Sequence, residues 1–160
     1  MNTWTDPRVR DPRVLLNTWT DPRVLPRFVM KVFFDCDVLL DVGLQREPHF
    51  DASARLLDWA ERHPGRAALA WHSLANLDYL IRGGAREFIE SLAEFMVIPE
   101  TGTRSLEFAL SLKVSDFEDA MQLAAAEQFG AQVVATRNFK HYKQSPIRAI
   151  APAELLALLR

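Results

Sequence analysis

The chain carries a single cysteine, Cys36, among its 160 residues. An intrachain disulfide is excluded, and the expectation is a cytoplasmic protein kept in reducing surroundings. No run of 18 uncharged apolar residues occurs, and the N-terminus lacks the basic, apolar, small-residue order of a signal peptide. No membrane partner is expected. Positive charge is not in excess either: 19 Lys and Arg stand against 21 Asp and Glu, a net −2. A polyanionic substrate would have to be held by a local basic patch or through metal ions. A Gly-rich phosphate loop, a G-x-S-x-G elbow and an H-E-x-x-H pair are all missing. Nucleotide triphosphate, serine-hydrolase and zinc-protease chemistry therefore lack their required parts. The four histidines, His49, His63, His72 and His141, show no ligand spacing and read as surface or core residues.

What is present has the balance of a globular protein, 49% hydrophobic and 25% charged. Its length suits one domain, able to bury roughly two thirds of its unfolded surface. Residues 1–29 differ in kind, because "NTWTDPRV" occurs at 2–9 and again at 17–24, with another "DPRV" at 11–14. Pro7, Pro12, Pro22 and Pro26 forbid a continuous helix there. Five Arg against three Asp make this stretch +2, leaving −4 for the remainder. It reads as a flexible leader ahead of a natural start at Met30; the rival reading is a basic arm that touches a partner or RNA.

From Met30 onward, apolar runs of strand length alternate with amphipathic runs of helix length, the pattern of a parallel α/β sheet. Strands are expected near 31–35, 67–71, 95–98, 132–136 and 147–150. Helices are expected from Asp51, Ser73, Ala85, Thr103 and Ser115, with a last one at the C-terminus. Such sheets bind ligands beyond the carboxyl ends of their strands.

Carboxylates gather where that edge should be. In "KVFFDCDVLLD" the apolar Val32–Phe34 leads to Asp35 at the strand end. Asp35 is either a helix cap or a ligand, and Asp37 is the better placed of the two for capping. "AQVVATRNF" repeats the layout and brings Thr136, Arg137 and Asn138 to the same edge if both strands are central. In "VSDFEDAMQLAAA", a helix capped by Ser115 would turn Phe117, Ala120, Met121 and Ala124 to the core and set Asp116 and Asp119 on one flank. Ser115-x-x-Glu118 would make a capping box and give Glu118 a structural task. Oxygen ligands from Asp35, Asp116, Asp119 and Asn138, without a Cys or His cluster, suit Mg²⁺ or Mn²⁺ rather than zinc. Ions so held are the usual equipment for hydrolysing a phosphodiester.

These residues resemble the PIN domains, and within them the bacterial toxin-like branch of VapC-type ribonucleases. "FFDCDVLLD" is similar to that family's opening D-x-N-x-x-x-D segment, and "DFEDAMQLAAAEQFGAQVVATRNF" to its later D-x-E-D-A and T-R-N-x-F segments. The likeness covers about residues 30–155. It implies a three-layer α/β/α sandwich around a central, mainly parallel, about five-stranded sheet, a Mg²⁺ or Mn²⁺ site, and RNA cleavage by the toxin of a toxin–antitoxin pair. It further implies a cognate antitoxin and a homodimer as partners.

By position, the resemblance makes Asp35 the first-strand ligand, Asp119 the helix ligand and Asn138 the residue after a late strand, with Thr136 beside it. Asp37 stands where the family usually has Asn. The second acid, commonly Glu, is matched by the neutral Asn76, so Asp116 and Glu118 are the candidates to compensate. Arg137, Lys140 and Lys143, with Phe139 and Tyr142 interleaved, are candidate RNA contacts. Two rivals stand beside this reading. One is a haloacid dehalogenase-like phosphatase with Asp35 as nucleophile and Asp37 as acid/base. The other is a PIN-like binding module with a weakened site.

Overall fold

The computed structural model describes residues 30–159, so the duplicated leader lies outside the described residues. Four strands form one sheet: β1 (Val32–Phe34), β2 (Ala67–Ala68), β3 (Val133–Ala135) and β4 (Arg148–Ile150). Their order is β2-β1-β3-β4, and every neighbouring pair is parallel. The strands are short and nearly all apolar because they are covered on both faces, as a parallel sheet requires.

Seven helices supply that cover: α1 (Cys36–Gly43), α2 (Phe50–Glu61), α3 (Trp71–Ile81), α4 (Ala85–Ala93), α5 (Thr103–Ser111), α6 (Phe117–Phe129) and α7 (Pro152–Leu159). Alternation along β1 sends its side chains to opposite faces. Val32 and Phe34 join Leu39, Leu56, Trp59, Leu77, Leu92 and Leu155 from α1–α4 and α7 on one face. Phe33 joins Leu123, Ala126 and Phe129 of α6 on the other. Helix α5 then packs on the outer side of α6 through Ala109, Ala120 and Ala124. The result is the expected three-layer α/β/α sandwich.

Three expectations need correction. The sheet has four strands among the described residues, not five. The segment 95–98 contributes only one bridge, Ala68 to Val97, because β2 offers two residues to pair with and Pro99 has no N–H to extend the ladder. Helix α6 begins two residues past Ser115, with Asp116 as N-cap, so Glu118 stands too early to close a capping box on Ser115. Finally, Phe117 is 46% exposed and Met121 only partly buried, whereas Asp119, Gln122, Leu123 and Ala125 are buried. Covered by both the sheet and α5, α6 buries a wider arc than a single stripe, and its apolar pattern marks that arc poorly.

Strand β1 is the branch point of the sheet: the chain leaves it toward β2 on one side, and β3 is inserted on the other. A crevice outside the carboxyl ends of β1 and β3 follows from that reversal. The site lies there.

Candidate metal centre

Asp35 immediately follows β1, and its backbone N–H continues the ladder to Ala135 O at 3.0 Å. It occupies the N-cap position of α1, yet its side chain makes no capping bond. The carboxylate is instead 4% exposed and takes donors from elsewhere. Gln122 Nε2 donates to Oδ1 at 2.7 Å, and Thr136 Oγ1 and Tyr142 OH donate to Oδ2 at 2.6 and 3.2 Å. Three donors from α6 and from the segment after β3 thus fix one carboxylate at the end of β1. A carboxylate held by outer partners in this way is the arrangement found around metal ligands.

Helix α6 brings the other acids. Asp116 Oδ1 accepts from the Glu118 N–H at 2.8 Å and caps the helix. Asp119 sits one turn in, 7% exposed, with Oδ2 at 2.6 Å from His141 Nδ1. Glu118 is freed from the expected capping role and reaches the other way, where Asn76 Nδ2 of α3 donates to its Oε1 at 2.5 Å. The neutral residue at the second-acid position therefore holds Glu118 by its carboxylate. Asp35, Cys36, Asp37, Asn76, Asp116, Glu118, Asp119 and Asn138 all line one pocket of about 220 Å³.

Crowding shows in the protonation of these groups. Burial, then the neighbouring Asp116, Asp35 and Asp119, pushes Glu118 above the usual carboxylate range. Asp119 is also raised, chiefly by burial, against the opposing pull of His141. Asp37 is pushed up to about 7, first by burial and then by Asp35. Its expected capping role is not realised: Oδ2 accepts from the Arg137 N–H at 3.0 Å, while Oδ1 is buried without a hydrogen-bond partner. Gln122 Oε1 is likewise buried and unpartnered. Cys36 is pushed up to about 12 by burial and then Asp35, which keeps it a thiol at neutral pH in the metal-free protein. Several acids around one pocket, short of positive charge and made of oxygen donors, fit a divalent cation of the hard type. Asp116, Asp119 and His141 also meet closely enough to hold one ion together.

The loop after β3 behaves differently from the expected basic strip. Arg137 turns inward, its Nε 2.8 Å from the fully buried Asp41 Oδ2, which also accepts from Ser53 Oγ at 3.1 Å. Tyr142 is buried against Asp35 and has no face free for a base. Lys140, Lys143 and Phe139 remain exposed. Asn138 enters the pocket wall; its N–H donates to Thr136 Oγ1 at 2.9 Å, and its Nδ2 lies 2.7 Å from His141 Nδ1.

A PIN domain family model matches residues 31–140, a span that holds β1 through β3 and every acid of the pocket. The chain belongs to the PIN domain family. No curated protein sequence matches it, but solved structures do so by shape. One is in the crystal structure of VapBC2 from Rickettsia felis bound to a DNA fragment from its promoter, with a TM-score of 0.60, 14% identity, and coverage of 76% of this chain and 98% of that one. Another is in DNA-bound VapBC from Salmonella typhimurium, with a TM-score of 0.59, 16% identity, and coverage of 77% and 98%. A third is in FitAcB from Neisseria gonorrhoeae, at 0.51, 15%, 76% and 97%. At such identities the likeness is one of fold.

Three residues of this PIN domain site were not legible as such in the sequence: Gln122, Tyr142, which read as a candidate RNA contact, and His141, which read as a surface or core histidine. The first two carry no sequence signal, since their partner Asp35 lies 87 and 107 positions away. His141 did leave one. It stands three residues past Asn138 in a turn closed by its own N–H to Asn138 O at 3.1 Å, a spacing that brings two polar side chains together.

Proposed function

We propose that this PIN domain is a metal-dependent ribonuclease that hydrolyses phosphodiester bonds of RNA, and that it serves as the toxin of a toxin–antitoxin pair. The observation that carries the reading is the convergence of Asp35, Asp116, Glu118 and Asp119 on one pocket beyond the carboxyl ends of β1 and β3. Asp35 and Asp119 are the principal ligands for Mg²⁺ or Mn²⁺, with Asp116 and Glu118 completing the set. Such an ion makes a nucleophile of water at neutral pH and offsets the charge developing on the phosphate. The chain supplies position: Gln122, Thr136 and Tyr142 fix the Asp35 carboxylate, Asn76 orients Glu118, and Asn138 lines the same pocket. Lys140 and Lys143, exposed just beyond the pocket, are the candidates to hold the RNA backbone, whereas Arg137 is committed to Asp41.

The solved neighbours named VapBC are complexes bound to DNA, which supports an antitoxin partner here. A homodimer in the cytoplasm completes the proposal.

The test is cleavage of labelled RNA with Mg²⁺, Mn²⁺ or EDTA, beside hydrolysis of p-nitrophenyl phosphate. RNA cleavage should require the ion and fall at least about 100-fold in Asp119→Asn. Equal rates for parent and variant would mean a contaminating nuclease and would remove the proposed site.

A further inference from the structure

We propose that Asp116, Asp119 and His141 form a nitrogen-containing cation position at the mouth of the acidic pocket, one that favours first-row transition ions such as Mn²⁺ over Mg²⁺. This rests on the metal-dependent reading above and adds to it a ligand of a different chemical kind and an ion preference.

The three residues come from separate points of the fold. Asp116 caps α6, Asp119 lies three residues into that helix, and His141 belongs to the turn after β3. Their ligand atoms nevertheless all lie within 4.8 Å of one another. An octahedral ion with bonds of about 2.1–2.2 Å has neighbouring ligand atoms roughly 3 Å apart and opposite ones roughly 4.3 Å apart. A single ion therefore spans the set with side-chain shifts of about half an ångström, which the half-exposed His141 and the exposed Asp116 can make.

His141 already directs Nδ1 at the acids of the pocket. Nδ1 is 2.6 Å from Asp119 Oδ2 and 2.7 Å from Asn138 Nδ2. One ring nitrogen cannot donate to a carboxylate and accept from an amide at once. An unprotonated Nδ1 would offer its lone pair to an ion that also takes the Asp119 carboxylate, in place of the present hydrogen bond. The mixture of atoms sets the preference. Mg²⁺ favours carboxylate oxygen and water, whereas Mn²⁺ and the ions after it also accept imidazole. Asp35 and Glu118, in the wall of the same pocket, offer only oxygen.

The probe is Mn²⁺ alone, bound to the full chain at one equivalent and read by electron spin-echo envelope modulation. Coupling to one histidine ¹⁴N is expected, converting to ¹⁵N coupling when the protein is grown on labelled histidine. In His141→Gln the coupling should vanish, Mn²⁺ affinity should fall about tenfold, and Mg²⁺ affinity by less than about threefold. Mn²⁺ bound without nitrogen coupling in the parent protein would overturn the proposal while leaving the acidic metal site standing. Coupling that persists in His141→Gln would also overturn it. A protein that binds no Mn²⁺ would end both this proposal and the reading beneath it. Should the variant fail to fold, the labelled parent protein still decides whether histidine is a ligand.

Discussion

Asp37→Asn, studied in the metal-free protein, exposes the electrostatic cost of the site most directly. The Asp37 side chain is 23% exposed, and its pKa is pushed from 3.8 to about 7 by burial and then by Asp35. A carboxyl whose folded pKa lies above its unfolded one stabilises the fold when protonated. That contribution is complete below about pH 3.8 and is lost as the pH rises through about 7. Between pH 5 and pH 8 the two values imply a loss of about 2–3 kcal/mol from this group, and Glu118 and Asp119, both raised, act in the same direction. Asparagine can keep the bond from the Arg137 N–H by presenting its carbonyl oxygen, and it carries no charge to desolvate. In EDTA the parent protein should therefore melt at a lower temperature at pH 8 than at pH 5.5. Asp37→Asn should recover about 2 kcal/mol at pH 8, roughly 6–10 °C in Tm. Saturating Mn²⁺ should restore the parent at pH 8, because a cation favours the ionised carboxylates. Circular dichroism melts at four pH values, with and without Mn²⁺, measure all of this. A Tm in EDTA that stays flat or rises between pH 5.5 and 8, or one that falls equally in Asp37→Asn, would refute the reasoning.

Other substitutions probe the neighbouring contacts. Arg137→Ala leaves the fully buried Asp41 with only Ser53 as a partner, so urea unfolding should show a loss of about 3 kcal/mol, of which Arg137→Lys recovers part. Thr136→Val removes a donor to Asp35 and the acceptor for the Asn138 N–H; metal affinity by titration calorimetry should drop about tenfold or more, with a stability loss of about 1–2 kcal/mol. Gly43→Ala drives a methyl group into the Cγ1–Cδ1 end of Ile81, which should cost about 1–2 kcal/mol in a thermal melt and be relieved by the shorter Ile81→Val.

Much of the site was legible because its carboxylates sit at ends of elements that local patterns define. The apolar Val32–Phe34 stops at Asp35, and a strand that stops at an acid on the carboxyl edge is a site signal whatever the rest of the chain does. Asp119 was legible for a related reason, being an acid a full turn into a helix whose neighbours are buried. The cap was misplaced because Ser115 and Asp116 are both good capping residues, and only the observed start of α6 decides between them. That shift of register released Glu118 toward Asn76, 42 residues away, a contact no local pattern announces.

Arg137 makes the same point from the other direction. In sequence it heads a basic, aromatic stretch suited to RNA, but the parallel pairing of β1 with β3 sets it beside Asp37 and Asp41. A buried carboxylate attracts the nearest guanidinium far more strongly than solvent-exposed neighbours do, so the cation turned inward.

The sequence alone determined the class of fold, the strand ends that carry Asp35, Thr136 and Asn138, and the oxygen-rich character of the pocket, since these follow from periodicity and residue type within a few positions. The tertiary structure decided which acids share a pocket, that Asn76 holds Glu118, and that His141 stands beside Asp119. These depend on bringing together chain segments 20 to more than 100 positions apart, and that distance is crossed only when the burial of both sheet faces fixes where β1, α3, α6 and the turn after β3 lie.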